Sequence, residues 1–144
     1  MNVPDKAYDL ARSFEGLRLE SYRDVAGYWT VGYGHLLTRD RSDAQYPPIA
    51  QEEAEALLAS DLKKAAASVL RLCTASLTEG RFSALIDFTF NLGSGNLQVS
   101  TLRKLVNRED FDGAREELSK WVYAGGIKLP GLVRRRRAEQ EIFE

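Results

Sequence analysis

Residues 14–36 read FEGLRLESYRDVAGYWTVGYGHL, and this stretch decides the fold. Ahead of it Val3, Ala7, Leu10, Ala11 and Phe14 recur at helical spacing, and Gly16 supplies a stop. Glu15 is therefore the last or next-to-last residue of a first helix. Beyond Gly16 the period changes to two. Leu17 and Leu19 share one face, with Arg18, Glu20, Tyr22 and Asp24 on the other; then Trp29, Val31 and Tyr33 oppose Tyr28, Thr30, Gly32 and Gly34. Folded back around DVAG, residues 24–27, this alternation predicts a small antiparallel sheet with Leu19, Trp29, Val31 and Tyr33 toward the core.

Working outward, TRDRSDAQYPPIA, residues 38–50, is a polar loop closed by Pro47 and Pro48. Ala54, Leu57, Leu58, Leu62, Ala65, Val69 and Leu72 then mark a helix of about 20 residues, with Glu52 and Glu53 favourably placed on its N-terminal dipole. Ala50 stands at its start, where a side-chain acceptor is the usual cap. The remainder predicts shorter helices: one ended by Gly93, one over Val99 to Asn107, one over Phe111 to Tyr123 ended by Gly125 and Gly126, and one over Gly131 to Phe143.

The chain of 144 residues is one domain in size. Its 44% hydrophobic and 28% charged residues are ordinary for a soluble globular protein. Lys+Arg 20 against Asp+Glu 21 leaves a formal charge of -1, so no overall basic field points to nucleic acid. One cysteine, Cys73, excludes an internal disulfide framework, and with a single histidine no Cys/His zinc set can be assembled; no metal or cofactor is expected. The N-terminus lacks the pattern of an export signal, and no run reaches the roughly 18 apolar residues of a membrane span.

Glycosidic hydrolysis needs two carboxyl groups in different environments, one that donates a proton to the leaving oxygen and one that stays charged. Sequence position separates Glu15 from Asp24 in this way. Glu15 lies at a helix C-terminus, where the macrodipole disfavours negative charge, and beside the apolar Phe14. Asp24 lies by a turn, with solvent and backbone donors at hand. Thr30 shares a face with Gly32 and Gly34, so a sugar ring could approach the backbone there, and its hydroxyl suits holding a water. Singly, each of these residues is more often structural than catalytic.

The order Glu15, eight residues, Asp24, five residues, Thr30, followed by GYGHLL, resembles the catalytic signature of bacteriophage-type lysozymes, glycoside hydrolase family 24. The resemblance continues through QEEAEALLASDL, FNLGSGNLQVSTLRKL and GLVRRRRAEQEIF. It implies an α+β fold in which a small sheet lobe (about 15–50) and a helical lobe (about 74–144 with the N-terminal helix) are joined by a long helix (about 51–72), with a cleft between them. It also implies a muramidase that cleaves the β-1,4 bond between N-acetylmuramic acid and N-acetylglucosamine in peptidoglycan. Glu15 becomes the general acid, and Asp24 and Thr30 flank the attacking water. Attack by water in one step predicts inversion and carboxyl groups roughly 6.5–9.5 Å apart; a separation near 5 Å would favour a covalent intermediate on Asp24.

Of the arginines at 134–137 only one or two can face inward, because successive helical residues turn by about 100°. Leu132, Arg135, Glu139 and Ile142 share a stripe, and the resemblance places an arginine against the catalytic glutamate, so Arg135 is expected to pair with Glu15. Arg134, Arg136 and Arg137 are expected to form a solvated basic face. Asp61 interrupts the apolar stripe of the long helix and needs a partner; as in the related lysozymes, a structural ion pair with His35 is expected ahead of a proton-transfer role. The resemblance suggests Leu36, Phe90 and Thr101 as substrate contacts, and Asn91 is a candidate amide donor. Trp29 and Trp121 are expected to be structural, and Cys73 an inert thiol.

The leading expectation is an endolysin that lyses the host wall, monomeric, without nucleic acid or stable membrane association. It would be made in the host cytoplasm and would depend on a holin to reach the wall from the periplasmic side. Rival readings are a lytic transglycosylase, which would leave 1,6-anhydro ends, and a catalytically inactive wall-binding module.

Overall fold

In the computed structural model, which describes residues 2–40 and 46–144, helix α1 (Asp5–Glu15) ends where Gly16 takes a φ of +63°. A side chain would resist that backbone angle; glycine does not. The chain then builds a three-stranded antiparallel sheet in the order β1 (Arg18–Arg23), β2 (Trp29–Gly32), β3 (His35–Thr38). The DVAG turn is closed by two bonds of 2.9 Å, from the Asp24 N–H to the Tyr28 carbonyl and from the Gly27 N–H to the Asp24 carbonyl. Tyr22 pairs with Thr30, and Thr30 with Leu36.

The register shifts within both strand pairs, and this breaks the alternation read from sequence. Thr30, Val31 and Gly32 are all buried, because α2 covers one side of β2 while β1 and β3 flank it. Leu17 and Leu19, expected on an inner face, are 37% and 39% exposed. β1 is an edge of the sheet, and on its outer side the loop before α2 meets it, where the Ile49 N–H donates to the Leu19 carbonyl at 2.9 Å. Trp29 is half-buried against Tyr46 rather than in the core. The expected polar loop falls partly on residues 41–45, outside the described residues.

Helix α2 (Gln51–Leu72) carries the predicted stripe: Ala54, Leu58, Leu62, Ala65, Ala66, Val69 and Leu72 are buried. Its start at Ala50 has no side-chain cap, as the sequence implied. Its C-terminus is held instead by long-range donors, Arg103 Nε and Asn107 Nδ2 to the Leu72 carbonyl at 2.7 and 3.0 Å. α2 packs on β2 at one end and on α3 (Glu79–Leu92) and α4 (Ser94–Val99) at the other, and so joins the two lobes. Cys73, just beyond it, is buried, and that burial pushes its thiol up to about 11, consistent with an unreactive group.

The helical lobe wraps α3, whose residues Ser83 to Thr89 are all buried, with α1, α2, α4 and α7 (Pro130–Ile142) around it. Two sequence expectations are corrected here. The helix expected over Val99–Asn107 breaks at Ser100, whose hydroxyl donates to the Leu97 carbonyl and accepts from the Arg103 N–H, capping α5 (Thr101–Asn107). The helix expected to reach Tyr123 stops at Leu118 as α6 (Phe111–Leu118), and Tyr123–Ala124 and Ile127–Lys128 pair as a hairpin, β4 and β5. Gly125 and Gly126 both take positive φ, which makes them a hairpin turn and not a helix stop. Trp121 packs edge-on against Phe88 at 5.4 Å, the structural role expected of it.

A polar tie absent from the sequence reading joins the lobes. Arg12 of α1 meets Glu55 of α2 through Nε at 3.2 Å and Nη2 at 2.7 Å, and the Tyr33 hydroxyl donates to the same carboxylate at 3.0 Å. The Arg12 bond, ahead of the other causes, holds Glu55 below the usual carboxylate range. The tie therefore contributes stability above that range and loses it as pH falls through the lowered value. Solvent reaches both partners, so the contribution is small.

Candidate active site

Glu15 is the final residue of α1, so its side chain leaves the helix toward the sheet. Arg135 Nη1 donates to its Oε2 at 2.7 Å, the pair expected from the stripe on α7 together with the family resemblance. On the other side lies Gly34, at φ +73° in the turn between β2 and β3. A Cβ at Gly34 would stand 2.7 Å from Glu15 Oε1. Gly34 thus leaves room for the carboxyl group.

Arg135 is itself fixed from behind. Its Nε and Nη2 donate to the two oxygens of Asp87 at 2.9 and 2.8 Å, a bidentate pair closed off from solvent. Burial, the largest single cause, works against both charges, yet their partners together outweigh it, Asp87 and Glu15 for Arg135 and chiefly Arg135 for Asp87, so Arg135 is raised and Asp87 lowered from their ordinary values. Asp87 was missed in the sequence, although the signal was there. An acid inside SALIDFTF, with apolar neighbours on both sides, requires a buried cation by the argument that found a partner for Asp61.

Arg136 corrects the expectation of a solvated face. It is 1% exposed; its Nη2 donates to Asn91 Oδ1 at 2.7 Å and to Glu139 Oε2 at 3.0 Å, and its Nε lies 2.7 Å from Glu139 Oε1 without in-line hydrogen-bond geometry. Two adjacent arginines can both be inside because α7 is embraced by α3 and α6, which widens its buried arc. Arg134 and Arg137 are exposed, as expected.

Asp24 stands across β1 from Glu15. Its Oδ1 accepts from the Ala26 and Tyr28 N–H groups, both at 2.9 Å, so the turn that positions the carboxylate also bonds to it. Tyr22 lies within the field of both acids: burial first, then the charge of Glu15, raise its phenol, Arg18 opposes them, and Asp24 adds to the rise. Thr30 is buried, and its hydroxyl donates to the Tyr28 carbonyl at 3.1 Å, which leaves the oxygen's lone pairs as acceptors.

An open groove of about 360 Å³ runs between the lobes, walled by Gly34, His35 and Leu36 on one side and by Thr89, Phe90 and Ser94 on the other. Its floor is Asp61, Lys64 and Ser68 of α2. It meets Glu15 through Gly34, while Asp24 and Thr30 lie outside its lining. Of the suggested substrate contacts, Leu36 and Phe90 line it; Thr101 does not, and Asn91 has its carbonyl oxygen engaged by Arg136. Among the described residues no three His, Cys, Asp or Glu side chains gather as metal ligands, and no helix is long and apolar enough to cross a membrane.

The model of the family described as phage lysozyme matches residues 12–139, which take in every group placed above. The chain belongs to the phage lysozyme family. It is 37% identical to an endolysin of Acyrthosiphon pisum secondary endosymbiont phage 1, over the whole chain and 99% of that protein. Among solved structures it superposes on an endolysin from the Escherichia coli phage FAHEc1 with a TM-score of 0.87 and 33% identity, covering 99% of this chain and 93% of that one. It also superposes on the muramidase domain of SpmX from Asticaccaulis excentricus with a TM-score of 0.87 and 31% identity, covering 99% of this chain and 97% of that one. This lysozyme is accordingly a glycoside hydrolase with the α+β, two-lobed fold.

His35 Nδ1 lies 2.7 Å from Asp61 Oδ2, across the groove floor between β3 and α2. The contact joins sheet lobe to linking helix and touches neither Glu15 nor Asp24. Replacing Asp61 by Asn should therefore lower stability by about 1–3 kcal/mol and leave turnover largely intact. Thermal melting beside peptidoglycan clearing checks this; a large loss of turnover in a folded variant would give the pair a part in the chemistry.

Proposed function

We propose that this enzyme hydrolyses the β-1,4 bond between N-acetylmuramic acid and N-acetylglucosamine, with Glu15 as general acid and Asp24 and Thr30 holding the attacking water. The observation that carries this reading is the contrast between the two carboxyl groups. Glu15 is fastened at 2.7 Å to an immobile arginine at the groove's end, whereas Asp24 is held by two backbone N–H groups in an open turn. The first is aimed by a cation and the second is held by neutral backbone donors, two different environments of the kind glycosidic hydrolysis needs. Thr30, its proton committed to Tyr28, can accept from a water beside Asp24. Leu36 and Phe90 on facing groove walls are placed to touch sugar rings.

A water-using enzyme and a transglycosylase differ in their products. Digestion of purified peptidoglycan should release fragments with reducing muramic ends, and Asp24→Asn should lower their yield by about a hundredfold or more. Abundant 1,6-anhydro ends, unaffected by Asp24→Asn, would support the transglycosylase reading instead. In the cell the reading makes this an endolysin for host lysis, acting as a monomer on the wall from the periplasmic side after a holin has opened the membrane.

A further inference from the structure

Behind Glu15 the fold buries more ionisable groups than an aimed acid requires. Five meet there: Glu15 from α1, Asp87 from α3, and Arg135, Arg136 and Glu139 from α7. Asp87 and Glu139 are wholly buried and Arg136 nearly so. Glu139 lies against Arg136 on its own helix, with Oε1 2.7 Å from the guanidinium Nε, and stands one helical turn beyond Arg135 on the buried side of α7. From α6, Arg115 turns away to the Gln140 carbonyl, and on the sheet side Glu15 faces Tyr22.

Three carboxyl groups and two guanidinium groups leave one surplus negative charge if all are ionised. A buried cluster does not tolerate that surplus, because its field is poorly screened. One proton restores neutrality. Asp87 is committed through both oxygens to Arg135, which leaves the proton to Glu139; burial, ahead of the influence of Asp87, raises Glu139 well above the usual carboxylate range.

We propose that Glu139 is a positioning residue for Glu15: the cluster holds one proton, which Glu139 carries while Glu15 is charged and Glu15 carries in the state that donates to the leaving oxygen. This rests on Glu15 being the general acid. Protonating Glu15 alone would leave two guanidinium groups facing Asp87 alone, a net positive charge. Release of the Glu139 proton to solvent cancels it, with Arg135 bridging the two sites.

Two variants pull in opposite directions. Glu139→Gln fixes a neutral group at 139, so the alkaline limb of the pH–rate profile for peptidoglycan hydrolysis should move down by about one pH unit. Arg136→Met removes a positive charge, so neutrality needs two protons and the same limb should move up. A purely structural Glu139 would lower melting temperature in both and move neither limb; coincident limbs in folded variants would overturn the proposal. Carboxyl-carbon NMR of the labelled wild type covers variants that fail to fold. Glu139 should be protonated at neutral pH in the wild type and ionised in Glu15→Gln, where Asp87 and Glu139 alone balance the two arginines. A charged Glu139 in the wild type would overturn the coupling. Full hydrolysis by Glu15→Gln would instead overturn the general-acid reading, with the NMR titration unaffected.

Discussion

Arg135→Met should destabilise the enzyme by about 3–5 kcal/mol at neutral pH, lowering the melting temperature by about 10 °C. The side chains are similar in length, so the loss is chiefly electrostatic. Arg135 supplies both bonds that hold Asp87, a group with no access to solvent, and the bond that holds Glu15. Removing it strands a buried carboxylate beside Glu139. The sign of the pH effect follows from Asp87, whose value is lowered in the folded protein by partners that outweigh burial. The wild type gains from that pairing above the ordinary carboxylate range and loses the gain as pH falls through the lowered value, so the gap between variant and wild type should narrow on acidification. Melting curves from neutral to acid pH measure this. A constant gap under 1 kcal/mol would mean that the cluster relaxes to admit water, and that Arg135 is no anchor.

Gly34→Ala should reduce turnover by about ten- to a hundredfold while costing about 1–2 kcal/mol of stability. The stability cost comes from the positive φ of +73°. The catalytic cost comes from contact: the new Cβ would lie 2.7 Å from Oε1 and 3.1 Å from Cδ of Glu15, so the carboxyl group must shift from the position in which Arg135 holds it. Gly125→Ala, in the far hairpin, separates the two effects. It has a φ of +58° and no heavy atom within 4 Å of the added Cβ, so it should show a comparable backbone cost with most of its turnover kept. Equal turnover in both variants would remove Gly34 from the positioning of Glu15.

Much of this site could be read from the chain because its parts are local. Gly16 ends α1 just after Glu15, the DVAG turn bonds its own aspartate, and the phase of α7 turns Arg135 inward, each within a few residues. The polar interruption at Asp61 in an apolar stripe showed that a partner was needed, and the family resemblance pointed to His35. Failures came where packing between distant elements decides. Arg136 is inside because α3 and α6 both flank α7, which no single-helix phase reveals. Leu17 and Leu19 are outside because β1 is an edge. The Gly125–Gly126 pair carried two meanings, helix end or hairpin turn, and the pairing of Tyr123 with Lys128 chose the second. Asp87 joins its partner across 48 positions, so its burial hinted at a cation without saying which.

The most direct test of the account is the solubilisation of purified peptidoglycan by wild-type enzyme and by Glu15→Gln, each confirmed to be folded. Gln keeps the size of the side chain and an acceptor for Arg135 but cannot give up the proton that the leaving oxygen needs. The account predicts a loss of about a thousandfold or more in rate. Clearing by Glu15→Gln within a few-fold of the wild type would contradict it and move the acid elsewhere.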